Sequence, residues 1–273
     1  MRYDALLDDA AIFPPGELPL DEAVRAHLAH GLAPHAALVG PLVVGLADLP
    51  ALAEATAGLP AGSLDLAVTV PSPSAAGDLL DKVRRIRAAQ LVALEVAVPE
   101  DHGAEDVVPA LTVAVGEPPG VTVYVELPRD ERRLPLLAEL AGTSYLAKLR
   151  TGGVRAELYP GEEELADTVI AAVRAGVAFK ATAGLHHAVR NTDPVTGFEQ
   201  HGFLNLLAAT DAALAGAGSE EVRAWLAERD GARLAAHEVA PATRRTFRSF
   251  GTCSIAEPVA ELAALGLLTP EEV

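Results

Sequence analysis

The chain alternates short runs of valine, leucine and alanine with longer amphipathic runs. The short runs predict strands and the long runs predict helices, because side chains repeat every two residues along a strand and every 3.6 along a helix. Alternating strands and helices favour parallel strands joined by right-handed crossovers. The strand-like runs are an apolar stretch at residues 3–13, then AALVGPLVVG, LDLAVTV, LVALEVAV, VTVYVEL, YLAKLR, AFKATAG and FRSFGTCS.

Roughly eight such strand–helix units favour a closed (β/α)8 barrel, a TIM barrel, over an open doubly wound sheet. No glycine-rich dinucleotide fingerprint follows the first strand, which weakens the doubly wound alternative. We therefore predict a single (β/α)8 barrel domain over residues 1–273. Its seventh and eighth strands lie far apart in the sequence, so we predict a long helical insertion at about residues 188–245.

Two helices are predicted with definite limits. GEEELADTVIAAVRAG, residues 161–176, begins with acidic residues and ends with glycine, as a capped helix does. AAGDLLDKVRRIRAAQ, residues 75–90, has helical periodicity throughout.

Strand parity predicts which side chains point into the barrel. Successive residues of a strand face opposite sides, so Glu95 shares a face with small alanines while the bulky neighbours face the helices. The same alternation puts Glu126, Lys148, Arg150 and Lys180 inside. Charged groups buried together are unfavourable unless they are paired. Near the carboxyl ends of barrel strands, such a cluster indicates a catalytic site.

The composition excludes several classes of function. The formal net charge of -17 argues against a nucleic-acid or anionic-membrane surface. A single cysteine, Cys253, excludes an internal disulfide framework and indicates a reducing compartment. No signal peptide and no run of about 18 apolar residues is apparent, so we expect a cytoplasmic protein. The expected partner is a small molecule, and homo-oligomer formation stays open.

Lysine is rare in this chain. Lys82, Lys148 and Lys180 are the only lysines among 21 basic residues, the rest being arginine. Lys148 and Lys180 each lie near the end of a predicted strand, ahead of a glycine turn. Lysine can supply a neutral amine, whereas arginine stays protonated. These two positions are therefore candidates for amine chemistry.

Several short motifs, taken in order, resemble those of the class I aldolases of the deoxyribose-phosphate aldolase type. AKLRTGG is similar to the stretch that carries the Schiff-base lysine of that family, and FKATAGL to the stretch that carries its second lysine. ALEVAVP is similar to the segment with the proton-relaying aspartate, with Glu95 at that position. FGTCS is similar to the phosphate-binding turn after the eighth strand, and TVYVEL and LDDAAIFPP match further segments.

This resemblance implies a Schiff-base aldolase, or lyase, that acts on a small phosphorylated aldehyde or ketone without cofactor or metal. Lys148 would form the imine, Lys180 would lower its pKa, and Glu95 would relay protons through a water molecule. Two charges about 5 Å apart repel by roughly 3 kcal/mol at an effective dielectric constant of about 20, which lowers a pKa by about two units. The implied substrate-binding residues are Arg150, Glu126, Thr182, Gly184, His186, His187, Gly251 and Ser254.

The sequence also departs from the family pattern. Arg150 replaces a small hydroxyl residue and adds a cation that could hold a carboxylate or a phosphate. AGLHH stands in place of the family's G-G-x-R motif, so His186 and His187 are expected near a phosphate-binding turn, and Glu95 is one methylene longer than aspartate. These differences leave the substrate open.

Alternative interpretations remain. The barrel could carry other chemistry, as a metal-assisted lyase or a sugar-phosphate isomerase, or it could be a non-catalytic ligand-binding barrel whose lysines are neutralised by glutamates. A metal site would need the two adjacent histidines with Glu199 and His201, a spacing that matches no standard zinc pattern. Asp8 and Asp9 could bind a cation or a substrate hydroxyl, but a helix cap or a solvated turn is the preferred interpretation. Cys253 is interpreted as a small core residue.

Overall fold

Eight parallel strands close into a barrel in the computed structural model, which describes residues 3–269, 271 and 272. Each barrel strand pairs with the strands before and after it, and the first strand pairs with the last. This pairing confirms the predicted (β/α)8 barrel. The barrel strands are β1 (Leu7–Asp9), β2 (Val39–Gly45), β3 (Leu64–Val70), β4 (Ala89–Val96), β5 (Thr122–Glu126), β6 (Leu146–Arg150), β7 (Phe179–Thr182) and β10 (Phe247–Thr252).

Helices connect the strands and cover the outside of the barrel. None of those in the described residues is long and apolar enough to cross a membrane. They are α1 (Leu20–His30), α2 (Leu49–Ala55), α3 (Leu79–Arg84), α4 (Ala104–Ala114), α5 (Arg133–Leu140), α6 (Glu162–Ala175), α7 (Phe203–Leu214), α8 (Ser219–Ala227), α9 (Gly231–Ala236), α10 (Pro241–Thr246) and α11 (Ala256–Ala264).

Helix α6 follows the predicted limits. Three glutamates occupy its first turn, where negative charge is favourable because the helix dipole is positive there. It ends before Gly176, whose φ of 68° is left-handed and therefore suits glycine. The predicted helix at residues 161–176 is confirmed.

The helix predicted over residues 75–90 is much shorter. Helix α3 ends at Arg84, and β4 begins at Ala89. Ala89 and Gln90 pair with Leu64 and Asp65 of β3, so strand pairing overrides the helical periodicity at this end.

Between β7 and β10 lie a small antiparallel hairpin and four helices. The hairpin consists of β8 (Asn191–Thr192) and β9 (Glu199–Gln200). Helix α7 packs on the barrel, where Phe203 stacks on Phe250 of β10 with ring centroids 4.9 Å apart. A (β/α)8 barrel usually has one helix between consecutive strands; here α7 occupies that position, and α8, α9 and α10 are additional.

The barrel interior separates into an apolar part and a charged part. Val43, Ala67, Ala93 and Tyr124 form a small buried cluster inside the strands. The larger core lies between the strands and the helices, where Leu94 and many other branched side chains are buried. Along β4, small residues thus face inward and branched residues face outward, as strand parity predicts, whereas β2 contributes the branched Val43 to the interior.

Candidate active site

A cavity of about 750 Å³ opens at the carboxyl ends of the barrel strands. Catalytic residues of (β/α)8 barrels collect at this end, because the loops after the strands meet there. Glu95 and Lys148 line the cavity, although they are only 2% and 5% exposed. Other lining residues are Gly45, Val70, Glu126, Arg150, Thr182 and Gly251 at strand ends, and Phe13, Pro14, Val43, Leu46, Val154 and Leu158 among the apolar side chains.

Five charged side chains inside the barrel form one connected group, the lysine–carboxylate cluster, made of Asp8, Glu95, Glu126, Lys148 and Lys180. Glu95 lies between the two lysines: its Oε2 is 2.7 Å from Lys148 Nζ, and its Oε1 accepts a hydrogen bond from Lys180 Nζ. Glu126 Oε2 lies 3.1 Å from Lys148 Nζ. The strands impose this geometry, since Lys148 is in register with Lys180 on β7 and with Glu126 on β5. The predicted convergence of Glu95, Glu126, Lys148 and Lys180 inside the barrel is confirmed, and Asp8 joins them without having been predicted.

Asp8 completes the cluster from β1. Its Oδ2 accepts hydrogen bonds from Lys180 Nζ at 2.5 Å and from the Ser249 hydroxyl at 2.7 Å. Asp9, next to it, lies 3.0 Å from Nδ1 of His27 and accepts the backbone N–H of Ala11. Both aspartates are buried, so the interpretation of this pair as a solvated turn is wrong.

The two lysines differ in access to the cavity. Lys180 is 1% exposed, is held by Asp8 and Glu95, and does not line the cavity. Lys148 lies one strand away and does line it. Among the described residues, Lys148 is therefore the lysine that borders the cavity.

The charges of the cluster shift one another's pKa values strongly. Burial alone would raise the pKa of Glu95, but Lys148 and Lys180 outweigh burial and lower it to about 2. Burial would lower the pKa of Lys148, but Glu95 and Glu126 outweigh burial and raise it above its usual value. The pKa of Lys180 is raised in the same way by Asp8 and Glu95. All three groups are charged at neutral pH.

Lys180 does act to lower the pKa of Lys148, but the prediction that this makes the pKa of Lys148 lower than usual is wrong. Repulsion between the two ammonium groups is present, but it is weaker than the attraction of Lys148 to Glu95 and Glu126. Glu95 lies between the lysines and attracts both, which the strand spacing alone did not reveal. The raised pKa of Lys148 favours the ammonium form in the resting site.

Arg150 extends the cluster toward the mouth of the cavity. Its Nε donates to Glu126 Oε1 at 2.8 Å. The side chain is 35% exposed and lines the cavity, where Thr182 faces it from the paired position on β7. With Arg150 included, three cations face three carboxylates, so the formal charges of the group cancel.

Two other predicted substrate-binding residues, His186 and Gly251, also line the cavity. Nδ1 of His186 lies 3.5 Å from Cys253 Sγ and 3.8 Å from a carboxylate oxygen of Glu257. Burial lowers the pKa of His186, which favours the neutral ring. Cys253 is a partly exposed residue of the cavity wall, so its interpretation as a core residue is wrong.

The remaining predicted binding residues lie away from the cavity lining. His187 Nδ1 is 2.6 Å from Glu261 and borders a separate, smaller cavity. The Ser254 hydroxyl accepts the backbone N–H of Glu257 at the start of α11. Gly184, with φ 73°, packs against the backbone of Gly152. Of the predicted phosphate-binding residues, Gly251 lines the cavity, whereas Gly184 and Ser254 do not.

The residues of the proposed metal alternative do not converge. His201 donates its Nε2–H to Pro160 O and accepts a hydrogen bond from Arg190 at Nδ1, whereas His186 and His187 face helix α11. Glu199 pairs with Arg190 and Arg229. Within the described part of the chain, no group of three or more histidine, cysteine or acidic side chains is arranged to hold a metal ion.

Sequence reasoning missed Asp8 and Ser249 as members of the charged interior. Ser249 shares a strand face with Gly251, so parity along β10 could have placed it inside. For Asp8 no such signal exists, because β1 has three residues and all of them are buried. The ring of Tyr124 also lies inside, 5.4 Å from Lys180 Nζ, where burial raises the pKa of Tyr124 to about 12.

Comparison with known proteins gives little beyond this geometry. No protein-family model matches the chain, and neither does any curated protein. One similar solved structure is an aldo-keto reductase from Klebsiella pneumoniae in complex with NADPH, with 19% identity over 97% of this chain and 87% of that one and a TM-score of 0.49. Another is described as PhdJ bound to a substrate intermediate. It has 14% identity over 98% of this chain and 84% of that one, with a TM-score of 0.40.

Both TM-scores are too low to support a conclusion about chemistry. Neither structure is described as a deoxyribose-phosphate-type aldolase, so the resemblance of the motifs to that family gains no support from them. The barrel itself is established by its own strand pairing.

Proposed function

We propose that the protein is an enzyme, a carbon–carbon lyase in which Lys148 forms an imine with the carbonyl group of a small aldehyde or ketone. The proposal depends on one observation: a lysine amine at the wall of a large cavity, held between two carboxylates that can move its protons. Lys148 is also the only lysine among the described lining residues. The order of the sequence motifs supports the same assignment.

The proposed reaction starts when the neutral amine of Lys148 attacks the carbonyl carbon and forms a C–N bond. The carbonyl oxygen leaves as water, with one proton from the amine and one from a carboxylic acid, which leaves a protonated imine. That cation accepts the electron pair of the adjacent C–C bond as the bond breaks. The hydroxyl proton of the departing aldehyde passes to a carboxylate, and an enamine remains on the lysine.

Each cluster residue then has a proposed task. Glu95 lies 2.7 Å from Lys148 Nζ and is placed to take up and return protons during these steps. Glu126 contacts the same amine from the other side. Lys180 holds Glu95 in place and keeps it ionised between turnovers, rather than activating Lys148.

The strongest rival is a structural role for the cluster. Every charge in it is paired, and a paired network inside a barrel needs no substrate to explain it. The rival and the proposal differ in whether Lys148 reacts with a carbonyl group.

Exchange of carbon-bound hydrogen tests the proposal. A protonated imine acidifies the hydrogens on the adjacent carbon, so the protein should catalyse their replacement by deuterium in D₂O. We expect exchange for at least one member of a panel of small aldehydes and ketones, followed by proton NMR. Lys148→Met should reduce exchange to the rate measured without protein, whereas Lys82→Met, at an exposed lysine, should leave it unchanged.

Two results would overturn the proposal. Exchange that survives Lys148→Met would indicate another barrel chemistry, with Glu95 acting without an imine. An absence of exchange across the whole panel, with the fold intact, would favour the structural role.

A further inference from the structure

We infer that the substrate is a 4-hydroxy-2-oxo acid with an apolar remainder, held through its carboxylate by Arg150. The 4-hydroxyl is the group whose proton passes to a carboxylate when the C–C bond breaks. This inference rests on the proposed function, because the carbonyl group is assigned to Lys148. It replaces the phosphorylated substrate that the family resemblance implies.

Arg150 presents an unused binding edge to the cavity. Its Nε is bound to Glu126, and among the described residues neither terminal nitrogen, Nη1 nor Nη2, makes a hydrogen bond. A guanidinium held through Nε keeps its plane fixed and can bind a carboxylate with its terminal nitrogens. The side chain is 35% exposed, so that edge is accessible to a ligand.

The position of Arg150 limits where the carboxylate of the substrate can be. Lys148 and Arg150 face the same side of β6 two residues apart, which places their backbones roughly 7 Å apart. Both side chains contact the same carboxylate: Glu126 Oε2 is 3.1 Å from Lys148 Nζ, and Oε1 is 2.8 Å from Arg150 Nε. A ligand joined to the amine and to the guanidinium therefore has its anionic group close to its carbonyl carbon, as in a 2-oxo acid.

Charge favours a carboxylate over a phosphate. Arg150 and Lys148 are the only arginine and lysine among the described lining residues, and Glu95 and Glu126 line the same cavity. His186, the lining histidine, lies beside Cys253 and Glu257 and is favoured as the neutral ring. A site whose formal charges already cancel accommodates one negative charge better than the two of a phosphate monoester.

The rest of the cavity favours an apolar substituent. Its walls include Phe13, Leu46, Val154 and Leu158, and its volume of about 750 Å³ is far larger than a three-carbon acid needs. Burial of an apolar group against such walls is favourable at about 25 cal/mol per Å². A branched aliphatic or aromatic side chain on the 2-oxo acid fits both features.

Calorimetric binding tests the carboxylate site without requiring a reaction. The ligand is 2-hydroxy-4-methylpentanoate, which has no carbonyl group for an imine, and its amide is the uncharged control. We expect the acid to bind roughly 10- to 100-fold more weakly to Arg150→Gln than to the unchanged protein, while the amide binds both alike. Arg150→Lys keeps the positive charge but loses the pair of terminal nitrogens that bind a carboxylate, so it should give an intermediate affinity. Circular dichroism should show that both variants are folded.

Borohydride trapping provides the second arm. Adduct formation with 4-methyl-2-oxopentanoate should be at least tenfold faster than with 4-methyl-2-pentanone, in which a methyl group replaces the carboxylate, and Arg150→Gln should abolish the difference. Equal trapping of the two compounds, or faster trapping of glyceraldehyde 3-phosphate, would overturn the inference. Arg150-dependent binding of the acid without any adduct on the unchanged protein would support the carboxylate site and overturn the proposed imine chemistry. If the acid shows no Arg150-dependent binding and the 2-oxo acid forms no adduct, the inference itself is overturned.

Discussion

Lys180→Met should lower the free energy of unfolding by about 3–5 kcal/mol, because it removes one partner from a buried ionic network. Methionine is of similar length, so little volume is lost. The carboxylates of Asp8 and Glu95 would remain buried without the ammonium that contacts both. Burial already raises the pKa of Asp8, so protonation offsets part of the loss at low pH. Urea denaturation at pH 8 and at pH 5 should therefore show a larger effect at pH 8.

Two further variants serve as controls for this prediction. Lys82→Met, at an exposed position, should change the free energy of unfolding by less than about 0.5 kcal/mol. Lys180→Met combined with Asp8→Asn removes an unpaired carboxylate together with the lysine and should recover part of the stability. A Lys180→Met protein as stable as Lys82→Met would contradict the view that the lysine–carboxylate cluster is ionised and buried.

The rate of imine formation at Lys148 should rise about tenfold for each pH unit between pH 7 and pH 10, since the free amine fraction does so below the pKa. Glu95 and Glu126 raise the pKa of Lys148 above 10.5, so the ammonium dominates this whole range. The stabilisation from that ammonium is fully present below the unfolded-state pKa and is lost only as the pH rises through the folded-state pKa. The fold is therefore retained while the rate rises. Adduct formation with cyanoborohydride, followed by intact mass, measures the rate.

Glu126→Gln provides the matched variant. Removing one of the two carboxylates that raise the pKa of Lys148 should increase the adduct rate at pH 8 by about tenfold or more. A pH-independent rate would contradict the prediction that loss of the Lys148 proton to solvent limits the reaction, and it would indicate that Glu95 or Glu126 takes up that proton within the site. A slower rate in Glu126→Gln would show that Glu126 takes part as a proton acceptor.

The barrel was predictable because its signals are repeated along the chain. Alternating strand and helix periodicity recurs through the sequence, and each unit agrees with its neighbours on the same parallel architecture. Local exceptions arose where pairing with another strand decided the structure, as at Ala89, which belongs to β4 although its surroundings have helical periodicity.

The site was predictable only in part. Parity along β4, β5, β6 and β7 placed Glu95, Glu126, Lys148 and Lys180 in one interior, because alternation is a property of each strand by itself. The protonation of that interior depends on which carboxylate lies between the lysines. The position of each carboxylate depends on how the strands close into a barrel, which brings Asp8, near the start of the chain, next to Lys180. Parity within single strands does not reveal these neighbours. The activation of Lys148 by Lys180 was therefore predicted wrongly.

The most direct test of the central claim is reductive trapping followed by peptide mapping. The protein is incubated with a panel of small carbonyl compounds and borohydride, digested and examined by mass spectrometry. The chain has only three lysines, so the assignment is unambiguous. We predict a substrate-dependent adduct on Lys148 that disappears in Lys148→Met. Adducts confined to Lys82 and the amino terminus, or no adduct with any compound, would contradict the proposal that Lys148 is the reacting amine.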